Sequence, residues 1–265
     1  ISWDEALDIV ARETRRIKES YGPEARYISL GSGHAGAVSG IQAMKRLLAL
    51  DGGYLNNYGD YSNFCTEYVT PYIYGDDLTG NSYECFQDSK LIILWSFNPA
   101  ESMHGSLTAY YLKLAKEKGA KIIVVDPRYS DTASIFADKW IPIKPSTDGA
   151  MLTAMAYVIL TEGLLDKKFL DKFCIGFDKK HMPKGYENEE SVEDYLLGNR
   201  DGIAKTPKWA SAICGVDENT IHDLAVEYAT SKPSAMVQGY GVQRHANGET
   251  AVMLGALLPC MTGNI

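Results

Sequence analysis

The sequence lacks any apolar run of the ~18 to 20 residues that a bilayer-crossing helix needs. It also lacks a cluster of Lys and Arg of the kind that grips nucleic acid. A net charge of −8 and a pI near 5.2 point the same way, so neither a direct membrane span nor a nucleic-acid partner is expected. Cysteine is sparse: Cys65, Cys85, Cys174, Cys214 and Cys260. None forms a CxxC pair, and the odd count argues against a disulfide framework. His34, His104, His181, His222 and His245 are scattered, so no zinc-type ligand cluster is present, and most of the thiols and imidazoles are expected to be half-buried packing groups. The chain opens at Ile1 without Met or a signal peptide and stops at TGNI. It reads as a piece of a longer polypeptide, from which any targeting segment is expected to have been removed.

What is present is ordinary globular chemistry, 45% hydrophobic and 23% charged over 265 residues. That length allows one large α/β domain or two smaller ones, each with its own core. Ser2 and Glu5 fit a capping box, and Trp3, Leu7, Val10, Thr14 and Ile17 follow at helical spacing up to Gly22 and Pro23. ARYISL reads as a strand, GSGHAG as a turn, and IQAMKRLLAL as a helix. A clearer series begins near residue 89. KLIILW, KIIVVD and KWIPI are short apolar strands separated by helices, and AMLTAMAYVIL is a helix apolar enough for a core. Strands alternating with helices in this way predict a parallel, doubly wound sheet. Residues 176–204 look polar and irregular. KTPKWASAI and VDENTIHDLAVEYAT return as helices, and the tail reads as strand, Gly-rich turn and helix over 249–260.

The polar turns that close the strands are the candidate sites, because ligands of open α/β sheets bind outside the carboxyl ends of the strands. SFNPAES offers Ser96, Asn98, Pro99 and Ser102; VVDPR offers Asp126, Pro127 and Arg128; IKPSTD offers Lys144, Thr147 and Asp148. An Asp there can accept from a ribose or from the amino edge of guanine, and Lys or Arg suits phosphate. GYGVQRHANGE adds Gly239 and Gly241 for close backbone approach, with Gln243 and Arg244 expected to project toward the ligand. GSGHAG matches G-x-G-x-x-G at Gly31, Gly33 and Gly36, with Asp51 twenty residues beyond Gly31. Asp51 follows a helix rather than a strand, so a nicotinamide-dependent dehydrogenase is a minor reading and a tight turn at Gly31, Ser32 and Gly33 the better one. LNNYGDYSNFC, residues 55–65, carries a hydroxyl at Ser62 and a thiol at Cys65. Local chemistry does not choose between them.

Taken in order, ISWDEALDIVA, NNYGDYS, LIILWSFNPAES, VVDPRYSDTA, IPIKPSTDGAML and GYGVQRHANGE…MTGNI resemble the molybdopterin oxidoreductases of the dimethyl sulfoxide reductase family. The stretch from GFDKKHMPKG to VDENTIHDLAVEYA narrows the resemblance to the catalytic chains of the anaerobic dimethyl sulfoxide reductases. Two departures stand out: Ser96 and Ser146 occupy positions where Gly is common in the family. Altered backbone detail, not lost binding, is expected there.

The resemblance implies two Rossmann-like doubly wound subdomains, one inserted in the other: 73–233 within a subdomain built from 1–72 plus 234–265. It implies molybdenum held by bis(molybdopterin guanine dinucleotide), with Ser62 as the protein's metal ligand and Tyr61 beside the cofactor, and with Cys65 as the rival ligand. The implied reaction removes oxygen from a sulfoxide or amine N-oxide, using two electrons and two protons and releasing water, in anaerobic respiration. A 4Fe-4S cluster in an amino-terminal region, an iron–sulfur electron-transfer subunit and a membrane anchor subunit are the implied partners. Twin-arginine export to the periplasmic face is the implied destination. Because the family's iron–sulfur region and its carboxy-terminal dinucleotide-binding domain fall outside these residues, the isolated chain is expected to fold without metal or activity. The large iron–sulfur subunit of respiratory complex I resembles the same fold without molybdenum. The intact G-D-Y-S at residues 59–62 and the complete set of turns argue against that non-catalytic reading.

Overall fold

The computed structural model describes residues 1–29, 39–76, 79–102 and 107–265. The chain divides into two compact units, Ile1–Phe64 and Cys65–Ile265. In the first unit, helix α1 (Trp3–Tyr21) starts as its capping residues require, with the Ser2 hydroxyl accepting from the Glu5 amide at 3.2 Å. It ends at Gly22, whose φ of 90° suits only glycine. Helix α2 (Gly40–Leu50) follows, capped by Ser39. The expected strand at ARYISL is reduced, among the described residues, to one parallel bridge between Tyr27 and Leu55. The nearly buried Arg26 fastens this unit by donating to Asp51 Oδ2 at 2.5 Å and to the Gly53 carbonyl at 2.6 Å. Lys18 takes the other Asp51 oxygen at 2.7 Å. Asp51 is therefore engaged in closing its own helix, which removes the sequence basis for a ribose-binding acid behind GSGHAG.

The second unit is α/β. After α3 (Phe64–Tyr74) come β1 (Leu91–Trp95), α4 (Thr108–Glu117), β2 (Lys121–Val125), α5 (Asp131–Phe136), β3 (Lys139–Ile141) and α6 (Asp148–Thr161). Then come α7 (Lys167–Phe173), α8 (Val192–Leu197), α9 (Pro207–Cys214), α10 (Glu218–Thr230), β4 (Ser234–Gln238) and α11 (Gly248–Thr262). The strands form one parallel sheet in the order β3-β2-β1-β4, with Leu91 opposite both Lys121 and Ser234. Every residue of β1 is buried. Its alternate side chains serve two cores, as a strand's twofold pleat dictates. Leu91, Ile93 and Trp95 pack with α6, α9, α10 and α11, whereas Ile92 and Leu94 pack with α4, α5 and Phe86. Each such fully buried aliphatic contributes roughly 1.5–3 kcal/mol. The apolar helix expected from AMLTAMAYVIL is α6, which has buried residues around its whole circumference.

Two expectations are corrected here. The sequence reading groups residues 234–265 with 1–72, but β4 hydrogen-bonds along the full length of β1 and belongs to the second unit. The polar stretch 176–204 is not wholly irregular, since Ser191 and Asp194 form a reciprocal capping box that starts α8, and Gly198 ends it in the left-handed conformation. No helix among the described residues is long and apolar enough to cross a membrane.

Candidate functional site

The strand order locates the site before any side chain is considered. From β1 the chain winds outward through β2 to β3, then crosses back to lay β4 on the opposite side of β1. The reversal lies between β1 and β4, and at the carboxyl end of such a switch point the two flanking turns part to leave a crevice. Ser96 leaves β1 and Gly239 leaves β4, tied together by the Gly239 amide donating to the Trp95 carbonyl at 2.8 Å. The Ser96 amide donates to the Val125 carbonyl of β2, also at 2.8 Å. Ser96 has φ 48° and Ser146 has φ 64°. Both are left-handed, a conformation that glycine adopts more readily than serine. A Cβ on Gly239 would lie 2.0 Å from the Ser96 carbonyl oxygen, so the two turns touch backbone to backbone.

A cavity of about 240 Å³ opens there, lined by Ser96, Asp126, Pro127, Pro145, Ser146, Asp148, Gly241, Arg244 and His245. All four strand ends or the loops that follow them contribute. Asp148 begins α6, is 4% exposed, and accepts from the indole Nε1 of fully buried Trp95 at 2.8 Å. Burial pushes its carboxyl above the ordinary carboxylate range, opposed by the indole hydrogen bond. Asp126 is pushed the same way, mainly by burial and in part by Asp148, while the Arg128 amide donates to its Oδ1 at 2.8 Å. His245 Nδ1 lies 2.8 Å from the Ala246 carbonyl, to which it donates. The other ring nitrogen, Nε2, is buried and has no hydrogen-bond partner within the protein. A buried ring nitrogen without a partner, in a cavity that already holds two acids and a guanidinium, has the character of a polar ligand site.

The raised carboxyl of Asp148 has a consequence for stability. The folded protein binds this proton more tightly than the unfolded chain, so stability present at low pH is lost as pH rises through the raised value. Asp148→Asn keeps an oxygen for the Trp95 indole and removes the titration. The variant should gain on the wild type as pH climbs from about 4 to about 8, read by denaturant melts across that interval. A gap between the two proteins that does not change with pH would show that Asp148 is charged at no cost in the fold.

The expected site residues divide into three groups. Ser96, Asp126, Pro127, Asp148, Gly241 and Arg244 come together at the cavity, and Gly239 does not line it but packs against the backbone of Ser96. Others are used by the fold. The Asn98 side chain accepts from Thr132 Oγ1 at 2.6 Å and donates to Glu101 at 2.6 Å, and Pro99 is buried. The Arg128 guanidinium pairs with Glu101. Lys144 is exposed with its stem over Gly215, Thr147 returns its hydroxyl to the Lys144 carbonyl at 2.6 Å, and Ser102 is exposed. Gln243 is a correction: it does not project toward the cavity but is 3% exposed. Its Oε1 accepts from the Cys65 amide at 3.1 Å, and its Nε2 donates to the Tyr240 carbonyl at 3.1 Å. It thereby satisfies an amide at the start of α3 that has no partner within the helix. Gly31, Ser32 and Gly33 lie outside the described residues. Pro145, Ser146 and His245 line the cavity without having been singled out as ligands. The clue to His245 was its place in the turn after β4.

The loop bearing Ser62 belongs to the first unit. Asp60 Oδ1 accepts from the amides of Ser62 at 2.5 Å and Asn63 at 2.9 Å, an Asx turn that fixes the backbone around Ser62. Gly59 has φ 70°, and a Cβ on it would fall 2.5 Å from the Phe64 ring. Asn57 donates to the Gly59 carbonyl at 2.9 Å, leaving its own Oδ1 buried without a partner. Tyr61 is 81% exposed. A larger groove of about 670 Å³ runs along α4 and α5, lined by residues such as Ala109, Tyr110, Ile135 and Phe136. It lies away from the strand ends, and its charged groups, Lys113, Lys116 and Glu117, all come from α4.

With this geometry in place, comparison with known proteins is informative. A family model described as molybdopterin oxidoreductase matches residues 1–265. The chain is 43% identical to dimethyl sulfoxide reductase DmsA of Escherichia coli (strain K12) over 274 residues, covering 100% of this chain and 34% of the relative. It is 32% identical to trimethylamine-N-oxide reductase of Haemophilus influenzae, covering 32% of that protein. Acetylene hydratase from Pelobacter acetylenicus superposes with a TM-score of 0.73 at 25% identity, over 100% of this chain and 33% of that one. The chain thus spans about a third of the length of the relatives it matches.

Proposed function

Because the chain belongs to the molybdopterin oxidoreductase family, we propose that it forms the part of a molybdenum enzyme that grips the nucleotide end of the pterin cofactor and offers the metal one protein oxygen. The reaction of the whole enzyme is reduction of a sulfoxide or an amine N-oxide, the substrates named in its relatives. The single observation that carries this reading is the polar cavity at the β1–β4 switch point. The residues present fit a guanine dinucleotide. Asp126 and Asp148 offer acceptors for an amino edge or ribose, Arg244 offers a guanidinium for phosphate, and His245 Nε2 is a buried ring nitrogen that needs a partner.

When bound, the cofactor supplies oxygen-atom transfer and the two-electron redox chemistry. The chain's own contribution is binding and position. Gly239 admits the close backbone contact with Ser96, Trp95 holds Asp148, and the Asp60 turn presents Ser62. A serine oxygen is a hard donor and suits a high-valent metal better than a thiol does, which favours Ser62 over Cys65. A 4Fe-4S cluster elsewhere in the protein, an iron–sulfur partner subunit, a membrane anchor and a periplasmic location belong to the same proposal. They are supported by the likeness to DmsA-type chains. The test is dye-linked reduction by the protein that carries this chain. Oxidation of a reduced viologen should follow addition of dimethyl sulfoxide or trimethylamine N-oxide. A molybdenum-loaded preparation that oxidises the dye with neither would overturn the assignment.

A further inference from the structure

The walls of the cavity carry two acids, Asp126 and Asp148, against one guanidinium, Arg244. That balance is poor for a ligand whose linking group is a pyrophosphate. A second guanidinium stands one residue from the lining: Asp126 and Pro127 face the cavity, and Arg128 is the next residue of the same turn. Its side chain leaves the cavity and pairs with Glu101. Glu101 is itself held by the Asn98 amide at 2.6 Å, and Asn98 is anchored independently through its Oδ1 to the amide and hydroxyl of Thr132, at 3.2 and 2.6 Å. The Ala100 amide donates to the same Thr132 hydroxyl at 3.0 Å. The turn after β1 is thus rigid where it meets α5, and it presents a carboxylate to the arginine of the turn after β2.

We propose that Glu101 is an internal counter-anion that holds Arg128 away from the cavity and yields it to a phosphate of the bound nucleotide. This rests on the reading of the cavity as a nucleotide site. Both partners are well exposed, at 49% for Glu101 and 64% for Arg128. An exposed pair of this kind is weak enough to be exchanged for a phosphate, which accepts from a guanidinium at least as well as a carboxylate does. Long Arg side chains reorient by rotation about single bonds, so the exchange needs no movement of the sheet. Glu101 acts through Arg128 and is a positioning residue that lowers affinity while the site is empty.

The test uses guanosine 5′-diphosphate as the probe, added to the cofactor-free protein and followed by calorimetry. Glu101→Gln keeps the shape and the acceptor for Asn98 but loses the charge. It should bind the probe about two- to fivefold more tightly than the wild type, the range that release of one exposed ion pair allows. The gain should shrink as salt is raised. Arg128→Gln should bind more weakly, and adding Glu101→Gln to it should change nothing further. A merely structural Glu101 cannot produce tighter binding on removal of its charge. If the wild type binds and Glu101→Gln binds equally or less well, the counter-anion role is wrong and the nucleotide site stands. If no variant that remains folded by circular dichroism binds, the nucleotide reading of the cavity fails and this inference fails with it.

Discussion

Ser62→Ala in the full protein should reduce turnover by more than about a hundredfold, since changing even a residue that only supports a metal ligand costs 10- to 100-fold. The expectation comes from how the loop is built. Asp60 Oδ1 accepts from the backbone amides of Ser62 and Asn63, so the main chain fixes the turn that carries Ser62. Gly59 and Phe64 close the loop on the other side through a contact that no larger residue permits. The alanine variant should therefore keep its fold, as circular dichroism would show. Its defect should lie in chemistry. Cys65→Ser is the informative control. Cys65 is the second residue of α3, its amide is satisfied by Gln243, and its replacement should leave activity near that of the wild type. Loss of activity in Cys65→Ser but not in Ser62→Ala would transfer the ligand role to the thiol.

Gly239→Ala should destabilise the second unit by about 3 kcal/mol or more, at or beyond the upper end of ordinary overpacking. The added methyl would sit 2.0 Å from the Ser96 carbonyl oxygen and 2.9 Å from Phe97 Cα, both backbone atoms that cannot rotate away. Relief would require separating the ends of β1 and β4, which breaks the Gly239 amide bond to the Trp95 carbonyl. Gly241→Ala is the matched comparison, because its new Cβ would meet Ser96 Cβ at 3.5 Å, an ordinary contact. Thermal melts of the two variants should differ widely. Equal stability would mean that the turns at the switch point have room that the structure does not give them.

The doubly wound sheet was readable because its strands are buried on both faces. LIILW and KIIVV leave no periodicity except continuous apolarity, and that alone marks a covered parallel strand. The membership of β4 was not readable, since nothing in SAMVQ distinguishes pairing with β1 from pairing with a strand in the first unit. Only the observed register does so. α3 was missed for a related reason: FCTEYVTPYIY has Pro71 inside it, and the Cys65 amide near its start is satisfied from 178 residues away by Gln243. The same residue shows the limit at the site. A polar side chain in a Gly-rich turn after a strand looks like a ligand group, but Gln243 turns inward to serve a helix while its neighbours Arg244 and His245 line the cavity. The departures Ser96 and Ser146 were visible as letters. That both adopt positive φ required the backbone. Arg128 reads as a phosphate-binding type of side chain, yet Glu101, three residues past Asn98, holds it elsewhere.

The central claim is that this chain gives the metal one oxygen, from Ser62. X-ray absorption at the molybdenum K-edge, comparing the full protein with its Ser62→Cys variant, addresses it directly. The account predicts that an oxygen scatterer is lost from the first coordination sphere and a sulfur scatterer gained. An unchanged spectrum from a fully molybdenum-loaded variant would contradict it.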